Sequence, residues 1–259
     1  MLGLVTAWCG LRKRDVLKLV CLVPHICKLI AFRGAPLEEL KSCSIVTVEQ
    51  AIALGWRCVR QGLGYYWEKS GVRFIHMNGW VVEVFEFQHY RDFDVRNRLV
   101  VDVGAGVGET AVYFLLRGAR RVIAFEPCPN SYREMLANLR LNKAEDRVLP
   151  INAAIWSSAQ ELLVLCPRRT RVAAVPLKAV LKHLKSGVAV KMDCEGCEYE
   201  SLKSLDRESA RCVEEFFIEY HGDPEPIRAK LEGLGFAVDV RRPWKVASGT
   251  PVGFIRAIR

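Results

Sequence analysis

Asparagine and glutamine are scarce in this chain, ten residues of 259 in total. Depletion of thermolabile amides is a pattern of hyperthermophile proteins, in which intracellular disulfides are tolerated. On that reading pairs among Cys9, Cys21, Cys27, Cys43 and Cys58 stay open. Long apolar runs are missing too, and spanning a bilayer takes about 20 mostly apolar residues. The most apolar stretch, "VLKLVCLVPHICKLIAF" (16–32), is interrupted by Lys18, Pro24, His25 and Lys28, so no transmembrane segment is expected. Val16, Leu19, Val20 and Val23 recur at helical spacing, which predicts a helix packed on the domain. An interfacial helix, and with it peripheral membrane contact, is the second reading. The opening "MLGLVTAWCGLRKRD" has its charges after the apolar run, the reverse of a secretory signal. A cytoplasmic protein is therefore expected, with most of its ten cysteines reduced or buried as small hydrophobes. Neither an internal repeat nor a low-complexity segment is present. One CxxC occurs, but no second CxxC or HxxxH completes the four ligands of a zinc site.

Half of the residues are apolar, enough for one large α/β domain or a core domain with a small extension. The formal charge of +9 is spread along the chain. It suits nucleic acid, an anionic membrane or a phosphorylated substrate and selects none of them. Residues 1–60 read as a helical extension, clearest at "TVEQAIALG", with Thr47 as N-cap, Gln50 completing a capping box and Gly55 as stop. Residues 61–97 read as β-hairpin structure. "YYWEK" and "VRFIH" are strands, and "VRFIH" and "WVVEVFEF" flank Asn78-Gly79, a strong hairpin signal. Tyr65, Tyr66, Trp67, Trp80 and Trp244 suit either a sugar site or the core of that region. From Leu99 onward apolar strands alternate with amphipathic helices: "LVVDVG", "RVIAFE", "RVLPINAAI", "VAVKMD" and "VEEFFIEYH" as strands. Between them lie helices at "ETAVYFLLRG", "NSYREMLANLRLN" and "PLKAVLKHLKSG". That alternation implies a parallel sheet covered on both faces. "FAVDVRR" and "PVGFIRAIR" close the chain as an antiparallel hairpin at the sheet's end.

"VVDVGAGVGE" places Gly104, Ala105, Gly106 and Gly108 directly after the first of these strands, where glycine lets the backbone turn tightly and approach a ligand. The third glycine follows the second by two residues, not three, which disfavours a dinucleotide. The missing Lys and Ser/Thr of a P-loop disfavours a triphosphate. Glu126 ends the second strand, twenty residues after Gly106, where a carboxylate can accept both ribose hydroxyls. A nucleoside with a cationic, non-phosphate arm fits these features, which points to S-adenosylmethionine. Asp102 is then expected to face its amino end, and Pro127 follows Glu126. Asn152, Ala153 and Ala154, after the third strand, are expected to border the adenine.

In "KMDCEGCEYE" (191–200) strand alternation puts Lys191 and Asp193 on one face, with Asp193 at the carboxyl end. Ligands of open α/β sheets sit beyond such ends, so Asp193 and Glu195 should enter the crevice of the glycine loop. The fifth strand brings Glu219 and His221 beside them. Carboxylates and a histidine there suit a general base or a Mg²⁺ ion held by Asp193 and Glu195.

Together "VVDVGAGVGETAVYF", "VIAFEPCPNSYREMLANLRLN", "INAAI", "VKMDCEGCEYESLKSL" and "IEYHG" resemble the FkbM-type S-adenosylmethionine-dependent methyltransferases. The resemblance runs from about Val100 to His221, and the segment similar to the family's K-(I/M)-D-x-E-G-x-E is its most specific part. It implies an α/β, Rossmann-like class I methyltransferase sheet in 98–259, mostly parallel with a C-terminal antiparallel hairpin. It also implies methyl transfer to hydroxyls of sugars or other natural-product intermediates. The family has small apolar residues where this chain has Cys194 and Cys197, so both are expected to be structural, with a local disulfide conceivable. Asp193, Glu195 and His221 are the expected catalytic groups, acting on a small hydroxylated, glycosyl or lipid-linked acceptor. An RNA methyltransferase is the alternative, with Arg120-Arg121, Arg168-Arg169 and Arg241-Arg242 as its phosphate contacts. A non-catalytic binding protein of the same fold is disfavoured by the presence of Glu126 and Asp193. The sequence is silent on homo-oligomers.

Overall fold

A computed structural model describes residues 46–259 apart from positions 63, 242 and 246–249. The helix expected within 16–32, the cysteines at 9, 21, 27 and 43, and Arg242 lie outside the described residues, as does the side chain of Trp244. The chain divides into two compact units, Met1–Glu86 and Phe87–Arg259.

In the first unit, helix α1 (Val48–Ala53) carries the expected capping box: Gln50 N donates to Thr47 Oγ1 at 3.2 Å, and Thr47 N donates to Gln50 Oε1 at 2.9 Å. Strands β1 (Arg57–Gln61), β2 (Gly64–Lys69) and β3 (Val72–Phe74) form an antiparallel sheet in that order. The segment after Asn78-Gly79 departs from expectation, being helix α2 (Gly79–Phe85) and not the second arm of a hairpin. Asn78 acts as an N-cap, its Oδ1 accepting from Val81 N at 3.0 Å. Asn favours N-caps as much as tight turns, and only tertiary packing decides between them. Here burial of Val81, Val82 and Val84 suits the helix. Trp56, fully buried, packs on Phe74 and Phe85 and donates its Nε1 hydrogen to Glu86 at 2.8 Å.

The second unit is built on one long sheet. Strands β4 (Leu99–Val103), β5 (Arg121–Phe125), β6 (Val148–Ile151), β10 (Val188–Met192) and β11 (Val213–His221) run parallel. The closing strands β12 (Ala237–Val240) and β14 (Pro251–Ile258) pair antiparallel, with the two-residue β13 (Trp244–Lys245) also on β14. The order is β12-β14-β11-β10-β4-β5-β6, so β14 is inserted between β11 and β12. This is the mostly parallel sheet with antiparallel C-terminal strands that the sequence pattern implies. The chain progresses one way from β4 to β6 and the other way from β10 to β11, so the switch point lies between β4 and β10. Helices α3 (Glu109–Leu116), α4 (Pro129–Leu141), α5 (Leu177–Leu181), α6 (Cys197–Lys203) and α7 (Glu225–Gly233) complete the unit. A large apolar cluster joins Val101, Val190, Phe216 and Ile218 to Leu202, Leu231 and Phe236.

Two expectations are corrected between β6 and β10. "RVLPINAAI" is not one strand: β6 stops at Ile151, and β7 (Ala154–Trp156) belongs to a second sheet. The stop has a local cause, because Asn152 turns its amide back to donate to the carbonyls of Glu126 and Pro127. That second sheet, in the order β7-β9-β8, adds a hairpin of β8 (Gln160–Leu165) and β9 (Arg169–Pro176) that the strand-helix alternation conceals. The helix expected over "PLKAVLKHLKSG" shortens to α5. No helix among the described residues is long and apolar enough to cross a membrane.

Asn78→Ala removes the cap of α2 and is expected to destabilise the protein by about 1 kcal/mol, whereas Asn78→Gly costs a few tenths. Urea denaturation of the two variants measures both values, and equal stability of Asn78→Ala and wild type would contradict the cap.

Candidate active site

At the switch point the ends of β4 and β10 come so close that side chains are excluded. Gly104, at φ +76°, would place a Cβ 1.8 Å from the carbonyl oxygen of Asp193. The N–H groups of Gly104 and Ala105 both donate to the Phe125 carbonyl, at 3.0 and 2.9 Å, which fastens the loop to the end of β5. Asn138 of α4 supports it by donating to the Val107 carbonyl at 2.9 Å. Gly108, left-handed at φ +88°, opens helix α3.

Beneath this loop lies a buried cation. Lys191, 1 % exposed, sits beside Asp102 in the pairing of β10 with β4. Its ammonium is 3.2 Å from Asp102 Oδ1 and 3.9 Å from Asp193 Oδ2, and donates to the Gly104 carbonyl at 2.6 Å. Burial alone would push its pKa down, but Asp102, Asp193 and Glu109 together raise it, so it stays charged. Asp102 has no accessible surface, and Oδ2 accepts from the Thr110 hydroxyl at 2.5 Å. It therefore acts on Lys191 and the loop from below.

Glu126, at the end of β5, is nearly buried. Oε2 accepts from Gly106 N at 3.0 Å and Oε1 from Cys128 N at 2.8 Å. No ion pair reaches this carboxylate among the described residues, and burial raises its pKa to about 7 against the pull of those two N–H groups. Asn152 is exposed beside it with its amide nitrogen already used, leaving Oδ1 as its free acceptor. Ala153 lies in the main core, whereas Ala154 packs with Val172 and Ala174 of the small sheet.

On the other side of the crevice, Asp193, Glu195 and His221 each present one donor atom, all within 4.8 Å of one another. Such an array can remove a proton or hold a divalent cation. Asp193 Oδ2 accepts from the Tyr90 hydroxyl at 2.9 Å. Glu195 adopts a left-handed backbone, φ +57°, which lifts its side chain out to 83 % exposure and 3.5 Å from His221 Nε2. His221 Nδ1 lies 3.4 Å from Glu198, a fully buried carboxylate whose Oε1 also accepts from Cys194 N at 3.0 Å. Desolvation would lower the His221 pKa, but the Glu198 carboxylate beside Nδ1 and the Glu195 and Asp193 charges raise it. Cys194 and Cys197 form a disulfide around this turn, and Cys128 and Cys166 form another. Among the six described cysteines the expectation of mostly reduced thiols is thus corrected, four of them being bonded. Cys58 is in neither bond.

The sequence reading named Gly106, Glu126, Pro127 and Asn152, which hydrogen bonds join at the end of β5, and Asp193, Glu195 and His221, which lie together at the ends of β10 and β11; Asp102 and Ala105, also named, are fully buried. It missed Tyr90, which is 103 residues from Asp193 in the chain, and the roles of Glu109 and Glu198. For Glu198 the signal was the third carboxylate of the acidic turn; for Tyr90 none was visible.

The profile of the methyltransferase FkbM domain matches residues 102–238, which include both halves of this crevice. The chain belongs to the FkbM methyltransferase family. It is an S-adenosylmethionine-dependent methyltransferase. A relative described as "Methyltransferase 1", from Beauveria bassiana, is 23 % identical over 215 residues, covering 68 % of this chain and 85 % of the relative. Among solved structures, a protein from Pyrococcus horikoshii described as a transferase superposes with a TM-score of 0.50 at 16 % identity, covering 80 % of each chain. Magnesium protoporphyrin IX methyltransferase from Synechocystis PCC 6803, with bound S-adenosylmethionine, gives 0.44 at 14 % identity, covering 70 % of this chain and 78 % of that one.

One more carboxylate lies in the glycine loop of this FkbM protein. Glu109, buried at the start of α3, accepts from Val107 N at 2.9 Å, and desolvation raises its pKa to about 8. A carboxyl that binds its proton more tightly folded than unfolded loses stability as pH rises from its unfolded pKa of about 4.5 to its folded value. Wild type is therefore expected to lose melting temperature relative to Glu109→Gln across that interval. Thermal melts at several pH values read the difference, and parallel curves would contradict the assignment.

Proposed function

We propose that this methyltransferase acts on a hydroxyl of a sugar, glycolipid or related small acceptor, with Glu195 and His221 removing the acceptor's proton. The observation that carries the reading is the exposed Glu195 carboxylate 3.5 Å from a histidine that is itself backed by the buried Glu198. Glu126 fits the cofactor on a specific ground. Among the described residues no ion pair reaches this buried acid, and each oxygen accepts one backbone N–H and retains a further lone pair for a ribose hydroxyl. Gly106, which has no side chain, and Pro127 adjoin Glu126 with little steric bulk, and Asn152 Oδ1 and Ala153 would border the adenine. The bound cofactor supplies a methyl group on a cationic sulfur, which is intrinsically electrophilic. The chain's own task is to hold the acceptor in line and to deprotonate it.

Asp193 is already engaged, because Tyr90 donates to it and the Lys191 ammonium is 3.9 Å away. Its place is to orient the acceptor at the mouth of the crevice. Glu195 is open to the acceptor, and His221, with Glu198 3.4 Å from Nδ1 and Glu195 3.5 Å from Nε2, shares the proton. Asp193, Glu195, Glu198 and Glu219 together make this end of the crevice negative, which opposes a polyanionic acceptor at the reacting centre and supports a neutral hydroxyl over RNA.

Transfer of labelled methyl to a panel of glycosides, glycolipids and RNA tests this. Glu195→Gln is expected to lower kcat roughly 10²- to 10⁴-fold, the usual worth of a general base, with S-adenosylhomocysteine affinity unchanged. Full turnover by Glu195→Gln on the true acceptor would overturn the assignment. The same assay with EDTA decides between the side chains and a cation on Asp193, Glu195 and His221: turnover that survives leaves proton removal to the side chains. Turnover that is lost and returns with Mg²⁺ gives it to the ion.

A further inference from the structure

The segment Glu126-Pro127-Cys128 is held from three directions. Behind it is β5, and from one side Asn152 donates to the Glu126 and Pro127 carbonyls at 2.8 and 2.9 Å. From the other side comes a covalent bond, the disulfide from Cys128 to Cys166, which spans 38 residues. Cys166 is buried and opens the connection between β8 and β9, whose following residues Pro167, Arg168 and Arg169 are exposed. Among the described residues no hydrogen bond or ion pair joins 166–169 to 126–132, so the disulfide is the direct tie between this connection and the segment, beside the longer route through β9, β7 and Asn152. The tie reaches the site directly, because the backbone N–H of Cys128 is one of the two donors that fix the Glu126 carboxylate, at 2.8 Å. Cys128 also precedes the first residue of α4, and its carbonyl accepts from Tyr132 N at 2.9 Å.

We propose that Cys128 and Cys166 are positioning residues for Glu126, so that cofactor affinity depends on the redox state of their disulfide. The inference rests on the reading of Glu126 as the cofactor's ribose-binding carboxylate. The redox step is an exchange with a dithiol. Two electrons and two protons pass to the disulfide, its S–S bond breaks to leave two thiols, and the dithiol closes to its own disulfide. Cys128 is only partly buried, which gives the dithiol an approach. Once the bond opens, the hairpin no longer restrains Cys128, and its N–H samples positions away from Glu126. A carboxylate with fewer fixed donors in a low-dielectric site is less well placed for ribose, so the ligand must spend binding energy on ordering it. Coupling of this kind is reciprocal: whatever factor oxidation adds to ligand affinity, the ligand adds to the resistance of the disulfide to reduction.

The test is calorimetric titration of S-adenosylhomocysteine into the oxidised protein, the dithiol-reduced protein and the oxidised Cys128→Ala/Cys166→Ala variant, which keeps the Cys194–Cys197 bond. The expected result is affinity roughly five- to tenfold weaker in both altered forms, within the usual range of coupling factors. A matching shift of the Cys128–Cys166 midpoint is expected when the ligand is present, about 30 mV for a tenfold factor in a two-electron couple. Equal affinity in all three forms overturns the proposal. Global unfolding of the variant, seen as loss of its cooperative melt, also overturns it, because the bond would then be a staple of the whole fold. Glu126→Gln separates the two layers of the argument. If that variant binds as wild type does, the cofactor reading of Glu126 falls and the proposal with it. If it loses binding while the oxidised and reduced proteins bind alike, only the redox coupling falls.

Discussion

A single buried ammonium organises the site. Lys191 gathers Asp102 from β4, Asp193 from its own strand end, and the carbonyls of Val103 and Gly104, all within 3.9 Å. Paired charges with no access to water are not a source of large net stability, since desolvation offsets most of their attraction. What they contribute here is place. The cation is neutralised only when the ends of β4 and β10 lie side by side, and that is the condition under which the glycine loop and the acidic turn share one crevice. Removing one partner would leave an uncompensated buried charge, which costs about 3–5 kcal/mol.

From that point the division of labour follows. On one side the loop, drawn close enough that Gly104 tolerates no side chain against the Asp193 carbonyl, presents its backbone to Glu126. On the other side Tyr90 and Lys191 occupy Asp193, leaving Glu195 and His221 as the groups proposed to meet an acceptor. The two disulfides follow the same division. Cys128 donates to Glu126 and Cys194 donates to Glu198, so each bond adjoins one of the site's buried carboxylates.

Much of this was legible in the sequence because it is written in local pattern. Strand alternation, glycines after an apolar run, a carboxylate twenty residues on and the K-M-D-x-E-G-x-E segment each report on a few neighbouring residues. The misreadings occur where a local pattern has two outcomes or none. Asn78-Gly79 serves a hairpin or a helix cap equally well, and only the burial of three valines decides. The β8–β9 hairpin exposes Leu163 and Leu165, which blurs the alternation that would have announced it. Tyr90 meets Asp193 only in the folded state, as Cys128 meets Cys166.

The central claim is that the β4–β10 crevice binds an adenosine with a cationic, non-phosphate arm. Calorimetric titration of the wild-type protein with S-adenosylhomocysteine, with NAD⁺ as control, tests it most directly. Saturable micromolar binding of S-adenosylhomocysteine at one site per chain, and none of NAD⁺, is the predicted result. A folded protein that gives no binding heat with S-adenosylhomocysteine, or that prefers NAD⁺, would contradict it.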